Sequence, residues 1–125
     1  MKLLLDTHVL LWWLDNPSAI AELARIEIAN PRNAAYVSAA SIQEIVIKQG
    51  QNRLTCPDDL LPLLDDNRFS HLPITLDHAL TLRSLPPLHK DPFDRLLLAQ
   101  CRSEAMTLVT RDKVMTKYDV SFLLA

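Results

Sequence analysis

The sequence predicts an α/β fold: an α/β/α sandwich around a central parallel sheet of four to five strands. Three observations carry this. Short apolar runs of strand length, KLLL at 2–5, AYVS at 35–38 and MTLV at 106–109, stand apart from longer segments with helical spacing. The two kinds alternate as strand, helix pair, strand, helix pair, strand, helix, helix, strand, and strands joined through helices pair in parallel, with helices on both sheet faces. The 125 residues, 49% of them apolar, suit one domain spanning 1–125, with roughly two-thirds of the unfolded surface buried.

Each element has a local reason. Residues 2–5 read as a buried strand, and Asp6 or Thr7 can cap a helix that runs to about Leu14. Asn16-Pro17-Ser18 breaks the chain, after which Ile20, Leu23, Ala24 and Ile28 recur at helical spacing from Ser18 to Ala29. A strand over 35–38 leads into a helix over Ala39–Gln49, with Ile42, Ile45 and Val46 on its apolar side and Gly50 as its stop. Pro57-Asp58-Asp59 starts a helix to about Asn67, and His71–Ile74 is a short strand candidate. Thr75 caps a helix through about Arg83, with Asp77 in its first turn. After the loop Leu85–Lys90, Asp91-Pro92-Phe93-Asp94 opens the longest helix, which ends near Glu104. A strand over 106–109 follows, and Val120–Leu124 can add an edge strand.

Composition excludes several functions. One glycine, Gly50, cannot build a glycine-rich phosphate loop. Cys56 and Cys101 are too few for a disulfide framework or a four-ligand zinc site and read as reduced thiols in a cytoplasmic protein. Asp6 and His8 interrupt the apolar N-terminal stretch, so neither a signal peptide nor a membrane span is expected. Net charge is −2, but residues 83–118 carry seven Lys/Arg against four Asp/Glu, a surface that could meet phosphates or simply be solvated. His8, His71, His78 and His89 lack paired-ligand spacing, and Trp12-Trp13 reads as packing rather than a base-stacking platform.

The acids are the informative residues. In parallel sheets ligands bind beyond the carboxyl ends of the strands. Asp6 follows the first strand, Asp112 follows the fourth, Asp94 lies in the first turn of the helix entering it, and Glu44 sits in the helix after the second. Each has a plain alternative. Asp6 could be only a helix cap, and Asp112 a loop or capping aspartate. Glu44 could form a surface pair with Lys48, four residues on. Apolar neighbours Ile42, Ile45, Val46 and Ile47 instead suggest a buried glutamate in need of a partner. Capping accounts fully for Asp91 and permits Asp94 without requiring it.

If these carboxylates converge, each pair at about 4 Å repels by roughly 4 kcal/mol at an effective dielectric of 20. Three such pairs approach the whole stability of a small domain, on the order of 10 kcal/mol. Such a site raises some pKa values or holds a cation, and oxygen-only ligands favour Mg²⁺ or Mn²⁺ over zinc. Waters retained on such an ion can attack a phosphodiester.

The segments LLLDTHVLLWWL (3–14), VSAASIQEIVIKQGQNRL (37–54), LPPLHKDPFDRLLLAQ (85–100) and TLVTRDKVM (107–115) resemble the PIN-domain ribonuclease family, in particular VapC-like toxins of type II toxin–antitoxin modules. They lie in the family's order and span nearly the whole chain. The resemblance implies a Mg²⁺- or Mn²⁺-dependent endoribonuclease in which a metal-activated water hydrolyses RNA. It places the catalytic and metal-binding acids at Asp6, Glu44, Asp94 and, as the more variable fourth, Asp112, with Asp91 in support. It further implies a homodimer restrained by a cognate antitoxin protein seated in the active-site groove. From spacing, Lys48, Arg95 and Arg111 are expected to support the acids or touch substrate phosphate. The polar helix end KQGQNRL departs from the family's more apolar stretch and bears on groove shape. Two other functions use a similar fold: a catalytically silent protein-binding module, and a phosphoacceptor receiver domain. The second needs an acid pair after the first strand, where only Asp6 stands.

Overall fold

The computed structural model describes residues 1–125. Its sheet is built from β1 (Lys2–Leu5), β2 (Ala34–Ser38), β3 (Ser70–Leu72), β4 (Thr107–Thr110) and β5 (Ser121–Leu124). All neighbours run parallel, in the order β3-β2-β1-β4-β5. The helices are α1 (Thr7–Asp15), α2 (Glu22–Ala29), α3 (Ala39–Gly50), α4 (Leu60–Asp66), α5 (Leu76–Thr81) and α6 (Pro92–Glu104). None is long and apolar enough to cross a membrane.

β1 lies at the centre because its leucines can be buried on both faces: Leu3, Leu4 and Leu5 have no exposed surface. Strand alternation sends Leu3 and Leu5 into the core beneath α1, α2 and α4, with Val9, Leu10, Ala24, Ile28 and Leu64. Leu4 joins the opposite core, with Leu97, Leu98 and Leu108. Each face of the sheet is therefore sealed by helices.

Several boundaries differ from the sequence expectation, and three of them bear on the core. The helix expected over 18–29 is split: Pro17–Ala19 make a 3₁₀ turn, Ile20 is extended, and α2 begins at Glu22. Burial of Ile20, 2% exposed, explains the break, since the extended residue swings its side chain into the core. The third strand ends at Leu72 rather than Ile74, because Pro73 has no N–H for the ladder. The helix after Pro57 begins only at Leu60. The apolar side assigned to α3 also needs correction. Ile45 is buried, but Val46 and Ile47 are 57% and 42% exposed.

After β3 the chain returns to the other side of β1 to lay down β4 and then β5. The sheet order therefore reverses between β1 and β4. That reversal opens a crevice at the carboxyl ends of these two strands, where the connections leave in opposite directions.

Candidate active site

Asp6 leaves β1 directly at this crevice. Its amide donates to Val109 O at 3.0 Å, continuing the ladder with β4. It is also the N-cap of α1, though its Oδ1 accepts from His8 N at a long 3.4 Å. The stronger contact is with Oδ2, which accepts the Thr110 hydroxyl at 2.7 Å. Asp6 is 5% exposed. Burial raises its pKa above the usual value; the Thr110 hydroxyl and the charge and amide of His8 oppose this, and Glu44 adds repulsion.

Glu44 approaches from α3. Two polar joints fix this helix: Ser38 Oγ donates to Gln100 Oε1 on α6 at 2.6 Å, and Thr7 Oγ1 on α1 donates to Ser41 Oγ at 2.9 Å. Ser38 also caps α3 by accepting from Ala40 N. Glu44 is 2% exposed. Its Oε2 accepts from Lys48 Nζ at 2.5 Å. Its Oε1 is buried with no hydrogen-bond partner. Glu44 therefore pairs with Lys48, but not as a surface pair: it is buried, as the apolar neighbours suggested.

Asp94 enters from the first turn of α6. Asp91 caps that helix by accepting from Phe93 N at 2.8 Å and Asp94 N at 3.1 Å. Burial, then repulsion from Asp6 and Asp91, pushes the Asp94 carboxyl up to about 7; His89 opposes and Glu44 adds to the rise. Asp94, Asp6 and Glu44 thus act on one another electrostatically across three separate elements.

Asp112 follows β4, and its Oδ1 accepts from Val114 N at 2.8 Å and Met115 N at 3.4 Å. Burial alone would raise its pKa, but the hydrogen bond from His89 and these amides outweigh it and hold it below the usual value. His89 Nε2 lies 2.9 Å from Asp112 Oδ2 and 3.1 Å from Asp94 Oδ2. The three side chains offer ligand atoms within 4.8 Å of one another.

The crevice therefore gathers Asp6, Glu44, Asp94 and Asp112 at the switch point between β1 and β4, and a family model for the PIN domain matches residues 3–121. The chain belongs to the PIN domain family. A search of curated protein sequences returns no match. Among solved structures, this PIN domain resembles a chain of VapBC2 from Rickettsia felis bound to a promoter DNA fragment, with a TM-score of 0.75 and 16% identity over 100% of this chain and 99% of that one. It also resembles a chain of DNA-bound VapBC from Salmonella typhimurium, with a TM-score of 0.69 and 17% identity, covering 99% and 98% of the two chains. A third is a chain of FitAcB from Neisseria gonorrhoeae, with a TM-score of 0.64 and 22% identity, covering 97% and 96%. At these identities the likeness concerns the fold.

The basic residues of this PIN domain are placed differently from expectation. Lys48 is in the site, on Glu44. Arg95 is instead turned into the 85–88 loop, donating to Pro86 O at 3.0 Å, Tyr118 Oη at 3.3 Å and Leu85 O at 3.4 Å. Arg111 donates to Ala125 O and Ala19 O, and its guanidinium lies 4.2 Å from the centre of the Trp12 ring. Both arginines fasten chain segments; the expectation that they serve phosphate came from sequence proximity alone. Cys56 and Cys101 are free thiols.

Sequence reasoning missed His89 and Thr110. His89 was set aside for lack of a second histidine at ligand spacing. Its partners are carboxylates brought in by folding. Thr110 and His89 both stand within the motifs that flank the acids, and that adjacency was the available signal.

Proposed function

We propose that the PIN domain formed by residues 1–125 is a divalent-metal-dependent endoribonuclease, the toxin component of a toxin–antitoxin pair. The observation that carries the reading is Glu44 Oε1, a carboxylate oxygen buried without a partner on a residue whose charge adds to the raised pKa of both Asp6 and Asp94. A buried unpaired charge is costly, and this arrangement is sensible for a chain whose acids share a cation. The residues fit such an ion: the donors are carboxylate oxygens, as Mg²⁺ and Mn²⁺ favour. Asp6, Glu44 and Asp94 would hold it, with Asp112 as the fourth acid and Asp91 behind Asp94. A bound divalent cation neutralises charge on a phosphate and acidifies the attacking water.

The chain's own residues do the rest. Thr110 orients Asp6 through Oδ2. Lys48 offsets the charge of Glu44 and can meet a phosphate oxygen. The amino-terminal ends of α1 and α6, at Asp6 and Asp94, face the crevice with the positive ends of their dipoles. Water adds to phosphorus, the bond from phosphorus to the departing sugar oxygen breaks, and no covalent enzyme intermediate forms. The negative phosphodiesters of the substrate, RNA on this reading, enter this acidic crevice only when it is cation-loaded.

A cognate antitoxin and a homodimer complete the proposal. The VapBC and FitAcB structures are of complexes. On this chain Val46 and Leu61, 57% and 60% exposed, line one groove with Ile42 and Leu72, an apolar surface suited to a second protein.

The test is incubation of the purified chain with RNA in Mg²⁺ or Mn²⁺, beside Asp6→Asn and a chelator control. Cleavage should require the cation and be lost in Asp6→Asn. Equal cleavage by both proteins, or none by the wild type, removes the reading. A silent binding module would show no Mn²⁺ binding at all.

A further inference from the structure

The 85–91 loop is built more firmly than a surface connection needs. Tyr118, 4% exposed, places its hydroxyl under the loop. That hydroxyl accepts from Leu88 N at 3.1 Å and His89 N at 2.7 Å and donates to Pro86 O at 2.9 Å. One oxygen thus fixes both backbone and position at His89. The ring is then fixed in turn. Asp91 N donates to His89 Nδ1 at 3.1 Å. A ring nitrogen that accepts an amide hydrogen carries none of its own, so the ring hydrogen is on Nε2. Nε2 is the atom placed between Asp112 Oδ2 at 2.9 Å and Asp94 Oδ2 at 3.1 Å.

With its hydrogen on Nε2 and Nδ1 occupied by an amide, the ring has no free lone pair for a cation. It can only donate. Asp112, meanwhile, has both oxygens engaged, Oδ2 with His89 and Oδ1 with the amides of Val114 and Met115. Asp94 differs: its Oδ2 lies 3.1 Å from Nε2 without hydrogen-bond alignment, because the ring's one hydrogen is given to Asp112.

We propose that His89 is a positioning residue: hydrogen-bonded to Asp112, its ring edge sits against Oδ2 of Asp94 and fixes that carboxyl so that its other oxygen is presented to the cation. The inference rests on the proposed metal-dependent nuclease. It adds a division of labour among the acids: Asp94 binds, while Asp112 acts through His89. Groups that orient a ligating side chain typically change metal affinity or activity by about 10- to 100-fold.

Two near-isosteric variants separate the two ends of the ring. His89→Gln places an amide NH₂ where Nε2 stands and keeps the donor toward the carboxylates. His89→Asn places an amide oxygen where Nδ1 stands and keeps the acceptor for Asp91 N. Mn²⁺ binding is read by calorimetry and electron spin-echo spectroscopy on the whole chain, and RNA cleavage is followed alongside with kcat and KM resolved. His89→Asn should bind Mn²⁺ about tenfold more weakly and lose kcat by a similar factor with KM for RNA little changed. His89→Gln should bind within about threefold of the wild type, with no ¹⁴N coupling to Mn²⁺ in the wild-type protein. Wild-type affinity in His89→Asn, or equal weakness in both variants, overturns the proposal. A ¹⁴N coupling does so too, because it would make the ring a direct ligand. If the wild type binds Mn²⁺ but cleaves no RNA, the nuclease reading fails while the binding comparison still decides the role of His89. A thermal melt of each variant identifies a loss caused only by unfolding.

Discussion

Asp94 and Asp112 share a residue type and a neighbour, His89, yet their carboxyl groups are pushed in opposite directions. Asp94 rises to about 7 under burial and the repulsion of Asp6, Asp91 and Glu44. Asp112 stays below its ordinary value because His89 and two amides donate to it. The difference teaches that burial weighed against local donors decides a carboxylate's state: Asp6 has donors too, yet burial carries it upward. Where donors outweigh burial, the acid is satisfied by the protein. Where burial wins, it is left for something from outside.

The sharpest break in this comparison is removal of a buried acid. Asp6→Asn or Glu44→Gln should reduce RNA cleavage by at least about 100-fold, since each would be a direct ligand. In Asp6→Asn the metal-free melting temperature should rise, because a buried charge has been removed while an amide oxygen can still accept from Thr110. A lower melting temperature would show that this acid stabilises the empty fold.

Next in size is a pH effect with a definite sign. Asp94 has a folded pKa above its unfolded value, so the folded chain holds a proton that the unfolded chain releases. Its stabilising contribution is complete below about 4 and is lost as pH rises through about 7. Metal-free stability should fall across that window by on the order of 2 kcal/mol. Mn²⁺ should restore it, and Asp94→Asn should flatten the slope. Denaturant melts at several pH values measure this, and a stability that increases steadily from pH 4 to 7 refutes it.

A smaller effect comes from the donor that serves Asp6. Thr110→Val removes the hydroxyl bonded to Asp6 Oδ2 and the acceptor for Asp112 N. It should cost about 1–2 kcal/mol of stability and lift Asp6 further, which NMR titration of the Asp6 carboxyl would detect. Asp112→Asn should have the least effect, about 0.5 kcal/mol of destabilisation at neutral pH. Its sign is opposite to that of Asp94→Asn. Asp112 has a depressed folded pKa, so its contribution is present above its ordinary value and is lost as pH falls through the folded one. Equal signs for the two variants would erase the distinction between them.

Much of this was legible in the residues. The run KLLL ending at Asp6 announces a buried strand with an acid at its edge, and the strand-helix alternation gives the parallel sheet. Asp91-Pro92 announces the start of α6. Glu44 is a mixed case: it is buried as expected, but Val46 and Ile47, part of the reason for expecting it, are exposed. Face assignment depends on what packs against α3, which no local pattern contains. His89 and Thr110 were illegible for a related reason. Their bonds to Asp112 and Asp6 span 23 and 104 residues, respectively. Conversely, Arg95 and Arg111 are adjacent in sequence to acids, but their side chains turn away, because adjacency along the backbone does not fix direction.

The pairing of Asp6 with β4 also bears on synthesis. Asp6 leaves the ribosome 104 residues ahead of Thr110, whose hydroxyl holds it. Until then β1 lacks its partner on one side and the carboxylate lacks its orienting hydroxyl. On the proposed function, a partly translated chain carries the acids without an assembled cutting centre. A chain broken off before Val109 would therefore lack the assembled centre, because the acids are brought together only after β4 has been made.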